Sequence, residues 1–233
     1  MLKKIFGLTL MILTFSCMKN IDIDRNDFNR NYEIAKEKYQ DEKYNNAIDD
    51  FNVLIYNYNG NSKIDSVRFY LAMSHFKIDE FYSASYEFAK LYENHPNSLL
   101  AEEALFKSAL SYYELAPDVT LDQAESNAAL TKFQRFLEIY KSGEYADKAK
   151  EYIVSLRSGF ASKEFQAAKL YDKLEQPRAA KIYYRSIIEN YYDTEYFIES
   201  IKGYAEACKL MGEQKVYEDY IKRYESMKKN AEK

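Results

Sequence analysis

Alanine spacing constrains this chain more than any other feature. Ala35, Ala72 and Ala109 stand 37 residues apart, and Ala47 and Ala84 follow the first two by twelve. Phe51 and Phe88 come four residues later, so two successive units read A-x11-A-x3-F. A unit of this length cannot bury an apolar face alone and gains a core only by stacking on its neighbours. Alanines twelve apart fit two antiparallel helices whose axes cross closely at the small residues, with the aromatic filling the space beneath. Tyr44 and Phe81 in the turn keep the same register, and Tyr39 and His75 fall one position apart within it on the first helix. With 6 Gly and 3 Pro in 233 residues, a sandwich or barrel has too little turn punctuation to form. No two glycines lie close enough to build a phosphate loop or a dinucleotide turn.

This is the skeleton of a tetratricopeptide repeat, lengthened by three residues from its usual period. Pro96 closes the second unit. In the third, Ala109 is followed by Ala129 and Phe133, so eight residues are inserted, around Pro117 to Thr120. Ala168, Ala180 and Tyr184 restore the 12 and 4 spacing, and Ala205 lies 37 residues after Ala168. Tyr217 stands where the last alanine is expected, as a capping repeat allows. The interval from Ala109 to Ala168 is 59 residues. From Ala146 to about Leu174 it contains no proline and one interruption, at Ser158-Gly159, which predicts a single helix of ~40 Å. The expected fold is all-α: a tetratricopeptide-repeat superhelix of about five helix-turn-helix repeats with a long connecting helix. Repeats 1–3 occupy residues 30–145, and the connecting helix with repeats 4–5 occupies 146–233.

The start of the chain has a different character. Lys3 and Lys4 precede an uncharged run from Ile5 to Ser16, followed by Cys17. A basic segment before a short apolar one is a secretory signal, here residues 1–16. Twelve helical residues rise only ~18 Å, too little for a ~30 Å hydrocarbon core. Thr14-Phe15-Ser16-Cys17 resembles a bacterial lipobox, which implies acylation of Cys17 and a lipid tether over residues 17–29. With Cys17 acylated, Cys208 has no partner for an intramolecular disulfide, so the core alone must hold the fold. Net charge is −4, from 33 Lys+Arg against 37 Asp+Glu, and no basic stripe for nucleic acid is present.

Further residues carry a family resemblance. Leu121-Asp122-Gln123 precedes a helix with Phe133-Gln134-Arg135-Phe136-Leu137-Glu138-Ile139-Tyr140. Then come Leu156-Arg157, Lys163-Glu164-Phe165, Ala168-Lys169-Leu170-Tyr171, Ala179-Ala180 and Tyr192-Asp193-Thr194. With five repeats, an insertion in the third and a lipobox, this series resembles the BamD family of outer-membrane β-barrel assembly lipoproteins over nearly the whole mature chain. Tyr192 departs from the family's usual proline, and Lys141-Ser142 from its Pro-x-Ser. The resemblance implies a lipid-anchored scaffold at the periplasmic face of the outer membrane. Its N-terminal repeats would receive unfolded outer-membrane β-barrel proteins and its C-terminal repeats would dock on the POTRA domains of BamA. The alternative is another envelope tetratricopeptide lipoprotein, such as one coordinating constriction with peptidoglycan synthesis.

Candidate binding residues follow from repeat register. The first helices of such repeats line a concave groove, and positions five, nine and twelve there place Tyr32, Phe69, Met73, Phe76, Phe106, Leu110 and Tyr113 on it. An apolar, aromatic lining is unusual for a surface facing water and suits an extended chain ending in an aromatic residue. The same side chains are also suited to packing against the tether or a neighbouring helix. Arg178, Lys181 and Arg185 share one helix face, with Arg157 expected nearby, and form either a BamA contact or a solvated face. Catalytic material is sparse. His75 and His95 sit at structural positions, Cys208 at a core position, and no Cys/His spacing makes a zinc site. Asp49-Asp50 and Glu102-Glu103 are adjacent, so on a helix their carboxylates point apart. No enzyme, cofactor or metal is expected, and whatever the protein does comes from binding.

Overall fold

The computed structural model describes residues 27–116 and 123–231. Cys17, the signal segment and the insertion at Pro117–Thr120 lie outside the described residues. Ten helices run through the rest: α1 (Phe28–Gln40), α2 (Tyr44–Asn57), α3 (Ile64–Lys77), α4 (Phe81–Asn94), α5 (Ala101–Leu115), α6 (Ala124–Ile139), α7 (Glu144–Lys173), α8 (Pro177–Asn190), α9 (Tyr196–Leu210) and α10 (Gln214–Ala231). Each packs chiefly on its chain neighbours, with additional contacts of α1 on α3, α5 on α7 and α7 on α9. That is the pattern of a solenoid, in which every unit is stabilised by the next.

The anchor alanines explain the packing. Ala35, Ala47, Ala72, Ala84, Ala109, Ala129, Ala168, Ala180 and Ala205 are all fully buried. A methyl group at each crossing lets two helix backbones approach, and the aromatic one turn later fills the remaining volume. Phe51, Phe88, Phe133 and Tyr184 serve that role and are fully buried or nearly so. In the last pair the approach is closer still. A Cβ on Gly203 would lie 2.3 Å from Cζ of Tyr184, so only glycine lets α9 pack over that ring. The Tyr184 hydroxyl donates to Asp172 Oδ2 at 2.5 Å; burial first, and then this carboxylate, push its phenol far above the ordinary value.

Turns repeat as faithfully as helices. After the first helix of a pair, Lys43, Glu80, Gln176 and Glu213 each donate a backbone N–H back to the carbonyl of Lys38, His75, Tyr171 and Cys208, at 2.9–3.0 Å. The residue before each donor has positive φ: Glu42 (61°), Asp79 (61°), Glu175 (53°) and Gly212 (78°). These are Schellman caps, which satisfy the last carbonyls of a helix and reverse the chain. The connection to the next pair also recurs, with N–H donors at Tyr58, Asn61 and Ile64 matched at His95, Ser98 and Ala101 and at Tyr191, Thr194 and Phe197. Tyr192 therefore forms the same turn as Pro96 despite its missing proline.

α7 spans 30 residues, a length of ~45 Å at 1.5 Å per residue. Its first half packs on α5 and α6 through Ala146, Ala149 and Leu156, and its second half supplies Ala168 to the core with α8 and α9. α1 begins at Phe28, inside the segment expected as tether, because Asp27 caps it by accepting the Arg30 N–H at 3.0 Å and Phe28 is buried. Cys208 is a buried free thiol.

Candidate functional site

The first helix of each pair carries the candidate groove. On α3, Phe69, Met73 and Phe76 fall at spacings of four and three, so they form one stripe, half-buried against Ala72, Ala84 and Phe88. Phe69 meets Phe88 edge-on at 5.7 Å, and Phe76 meets Phe81 edge-on at 5.1 Å. The Lys107 ammonium stands 6.0 Å above the Phe76 ring and 3.6 Å from Glu103. On α5, Leu110 and Tyr113 are half-buried against the next core. Tyr113 lies edge-on to Tyr152 at 4.6 Å, with its hydroxyl 3.1 Å from Ser155 Oγ. Beside it a cavity of about 310 Å³ opens between α5, α6 and α7, bordered by Gln123, Ser126, Leu156 and Phe160.

Two expected groove residues sit deeper. Tyr32 is only 7% exposed, stacked on Phe28 at 6.0 Å, and burial pushes its phenol up to about 12. Phe106 is 4% exposed, closed in by Phe133, Phe136, Tyr145 and Tyr152 at centroid distances of 5.1–6.1 Å. Both are core residues because a neighbour covers them: the first turn of α1 in one case, the first half of α7 in the other. Register alone missed three tyrosines that complete the aromatic surface. Tyr70 contacts Tyr39 at 5.2 Å and Phe69 at 6.1 Å, under the Lys36 ammonium at 5.6 Å. Tyr145 and Tyr152 lie seven apart, hence on one face of α7, and that spacing was a readable signal. Burial, and then the Glu103 charge, push the Tyr145 phenol above its ordinary value.

The four basic residues do not form one patch. Arg157 is at the Asn190 end of α8, where Nε donates to Asp193 Oδ2 at 2.8 Å and Nη2 to Oδ1 at 2.6 Å. Nη2 also donates to the Asn190 carbonyl at 2.6 Å, and the guanidinium lies over Tyr191 and Tyr192 at 5.6 and 5.9 Å. Lys181 is ion-paired with Glu213, and Arg185 donates to the Tyr204 hydroxyl at 2.9 Å. Arg178, at the opposite end of α8, is exposed and borders a cavity of about 510 Å³ with Pro177, Leu210 and Met211. Three of the four charges thus bind α7–α10 together, and Arg178 faces water.

Groups with reactive potential have structural tasks. His75 Nδ1 lies 2.6 Å from Glu80 Oε2 across a turn. Ser85 Oγ donates to the Ser108 carbonyl at 2.9 Å, and Ser108 Oγ to the Ser85 carbonyl at 3.1 Å, stapling α4 to α5. Lys132 reaches Ser108 Oγ at 3.4 Å, and burial lowers its ammonium below the usual lysine value. Both serines are buried, so this serine–lysine contact has no room for a substrate. Among the described residues no group of three or more His, Cys, Asp or Glu is placed to hold a metal ion. No helix of the described residues is long and apolar enough to cross a membrane.

Five helix pairs, with a buried alanine at each crossing and an aromatic stripe on α3 and α5, define a tetratricopeptide-type solenoid. The family model described as YfiO, outer membrane lipoprotein, matches residues 24–223, and the chain belongs to that family. It is 26% identical over 186 residues to the outer membrane protein assembly factor BamD of Rickettsia prowazekii (strain Madrid E), covering 79% of this chain and 72% of the relative. It is 30% identical over 125 residues to the factor of the same name from Caulobacter vibrioides, covering 54% of this chain and 40% of that one. Among solved structures it is similar to the TPR2AB-domain:pHSP90-complex of yeast Sti1, at TM-score 0.49 and 12% identity over 84% of this chain and 76% of that one. A thermophilic TPR protein of Thermus thermophilus aligns at TM-score 0.38 and 16% identity, over 86% of this chain and 98% of the other.

Proposed function

We propose that this chain is a non-enzymatic scaffold of outer-membrane protein assembly. Anchored through an acylated Cys17 at the periplasmic face of the outer membrane, it receives unfolded β-barrel proteins on its N-terminal repeats. Its C-terminal repeats dock on the POTRA domains of a BamA-like barrel. The observation that carries the reading is the paired aromatic stripe of α3 and α5, Phe69-Met73-Phe76 beside Leu110-Tyr113, with Lys107 above it. A half-buried apolar strip flanked by a cation suits an extended segment that ends in an aromatic side chain and a carboxylate. Both curated relatives bear the name of an assembly factor.

On the partner side, the arrangement of charges favours Arg178 and the neighbouring Pro177, Leu210 and Met211 as the docking surface, while Lys181, Arg185 and, at the other end of α8, Arg157 hold the helices that carry it. The test is direct. Phe76→Ala combined with Tyr113→Ala lowers affinity for the terminal peptide of a barrel protein on the order of tenfold, with helical circular dichroism unchanged. Unchanged affinity sinks the groove assignment. A native-membrane pull-down, read by mass spectrometry, recovers a POTRA-bearing barrel with the wild-type chain and loses it with Arg178→Glu.

A further inference from the structure

The helix ends of the first three pairs gather at two edges of the solenoid, and α7 carries the last two pairs beyond them. One edge gathers the starts of α1, α3 and α5 with the connections 58–63 and 95–100. Contacts tie these pieces together: Phe28 meets Tyr58 edge-on at 5.4 Å, Lys63 Nζ donates to Asn29 Oδ1 at 3.2 Å, and Ser98 Oγ donates to Asp65 Oδ2 at 2.6 Å. Asp27, from which the chain leads back to the lipobox Cys17, stands on this same edge. Residues 18–26 separate Cys17 from Asp27, and even fully extended they span no more than ~35 Å.

Two side chains on this edge have no packing role. Leu99 is 101% exposed and Tyr56 88%, the highest values among the exposed large apolar residues described. The repeat does not ask for them. Tyr56 corresponds to Glu93 and Glu189 in later units, and Leu99 to Ser62 and Glu195. Single exposed apolar residues are common on soluble proteins and mean little alone. Here the two most exposed ones share the edge on which the acyl anchor arrives. Three acidic groups on the edge are engaged within the fold: Asp27 accepts the Arg30 N–H, Asp65 accepts from Ser66 and Ser98, and Glu93 is paired with Lys90 at 3.2 Å. In the first turn of α5, Glu103 is 3.6 Å from Lys107 and Glu102 adds a negative charge that a contact here must tolerate.

We propose that this edge rests on the phospholipid surface that anchors the chain, with Leu99 and Tyr56 inserted at the headgroup–acyl boundary. The proposal rests on lipidation of Cys17 and adds to it an orientation. A tyrosine ring with a polar tip belongs at headgroup level, and a leucine just beneath it. Lys63 and the exposed Arg30 offer cations to lipid phosphates. The contact needs little intrinsic affinity, because the tether keeps the edge at high effective concentration near the bilayer. So oriented, the far end of α7–α9, with Leu210 and Arg178, lies away from the lipid and stays open to a protein partner.

The chain has no tryptophan, which makes the test clean. Leu99→Trp and, separately, Leu210→Trp are introduced into the full acylated chain and bound to vesicles of phosphatidylethanolamine and phosphatidylglycerol, with or without brominated acyl chains. Leu210, at the far end of α9, is 74% exposed and serves as the remote control. The proposal expects the Leu99→Trp emission to shift to the blue and lose about half its intensity to bromine at the boundary depth, while Leu210→Trp stays as in buffer. A floating chain whose Leu99→Trp emission is unshifted and unquenched overturns the orientation and leaves lipidation standing. A chain that does not float with the vesicles overturns both. A blue shift without bromine quenching means that a protein surface covers the edge, and overturns the proposal too.

Discussion

Glu42, Asp79 and Glu175 occupy one place in three different turns, each with φ near 60°, where Gly212 stands in the last repeat. A side chain with a Cβ is strained there by roughly 1–2 kcal/mol, while glycine loses more chain entropy on folding. The balance favours glycine. Glu42→Gly, Asp79→Gly and Glu175→Gly should each stabilise by about 0.5–1 kcal/mol, and Gly212→Ala should destabilise by about 1 kcal/mol. Thermal melts followed by circular dichroism check this; a lowered midpoint for the three glycine variants contradicts the strain argument. Repeat register located the first two of these turns, but their cap geometry was not legible in the sequence, because an acidic residue stands where glycine normally signals it. The same limit applies to Tyr32 and Phe106. Periodicity places them on the right helix face, but their depth is set by Phe28, in a stretch expected to be tether, and by Tyr145 and Tyr152, which come from α7.

At the scale of elements, the long helix was legible and its fastening was not. A 59-residue interval between equivalent alanines leaves little choice but a continuous helix, and α7 runs from Glu144 to Lys173. That Arg157 clamps the α8–α9 turn depends on Asp193, 36 residues away, and linear pattern does not report pairing. The clamp has a pH signature. Arg157 holds the Asp193 carboxyl below its ordinary value, first through their hydrogen bond, with a smaller contribution from direct charge attraction. A carboxyl with a depressed folded-state pKa contributes stability above its unfolded value, near 4, and loses it as pH falls through the lower folded value. Arg157→Ala should therefore cost about 1–2 kcal/mol at pH 7, part of it from the Asn190 carbonyl bond, which does not titrate. Urea titrations should show the gap between wild type and variant narrowing below about pH 4. A gap that is constant across that range would show that the ion pair contributes nothing and that only packing and the carbonyl bond matter.

Across the whole molecule, stability should be distributed as in a one-dimensional stack, because each helix packs chiefly on its chain neighbours. The buried residues fall into separate clusters rather than one centre. Phe106, Phe133, Phe136 and the first half of α7 form one, and Ala168, Tyr184, Tyr204 and Cys208 another. α7 is the element common to both, so a defect in one cluster reaches the other along that helix or through the α8–α9 turn, where Tyr191 meets Phe160 and Asp193 meets Arg157. Phe133 is fully buried, and Phe133→Ala should cost about 3–5 kcal/mol through the cavity it leaves. In a globular domain with a single core that loss would lower amide protection everywhere. In this stack it should lower protection in α5, α6 and the first half of α7 and leave α8–α10 near their wild-type values. Within α7 the change should therefore appear as a step close to Gly159, beyond which Phe165 and Ala168 are held by α8 and α9. Hydrogen exchange of the variant, read residue by residue along α7, decides the matter: uniform loss from Glu144 to Lys173 would mean that the two clusters unfold as one cooperative body.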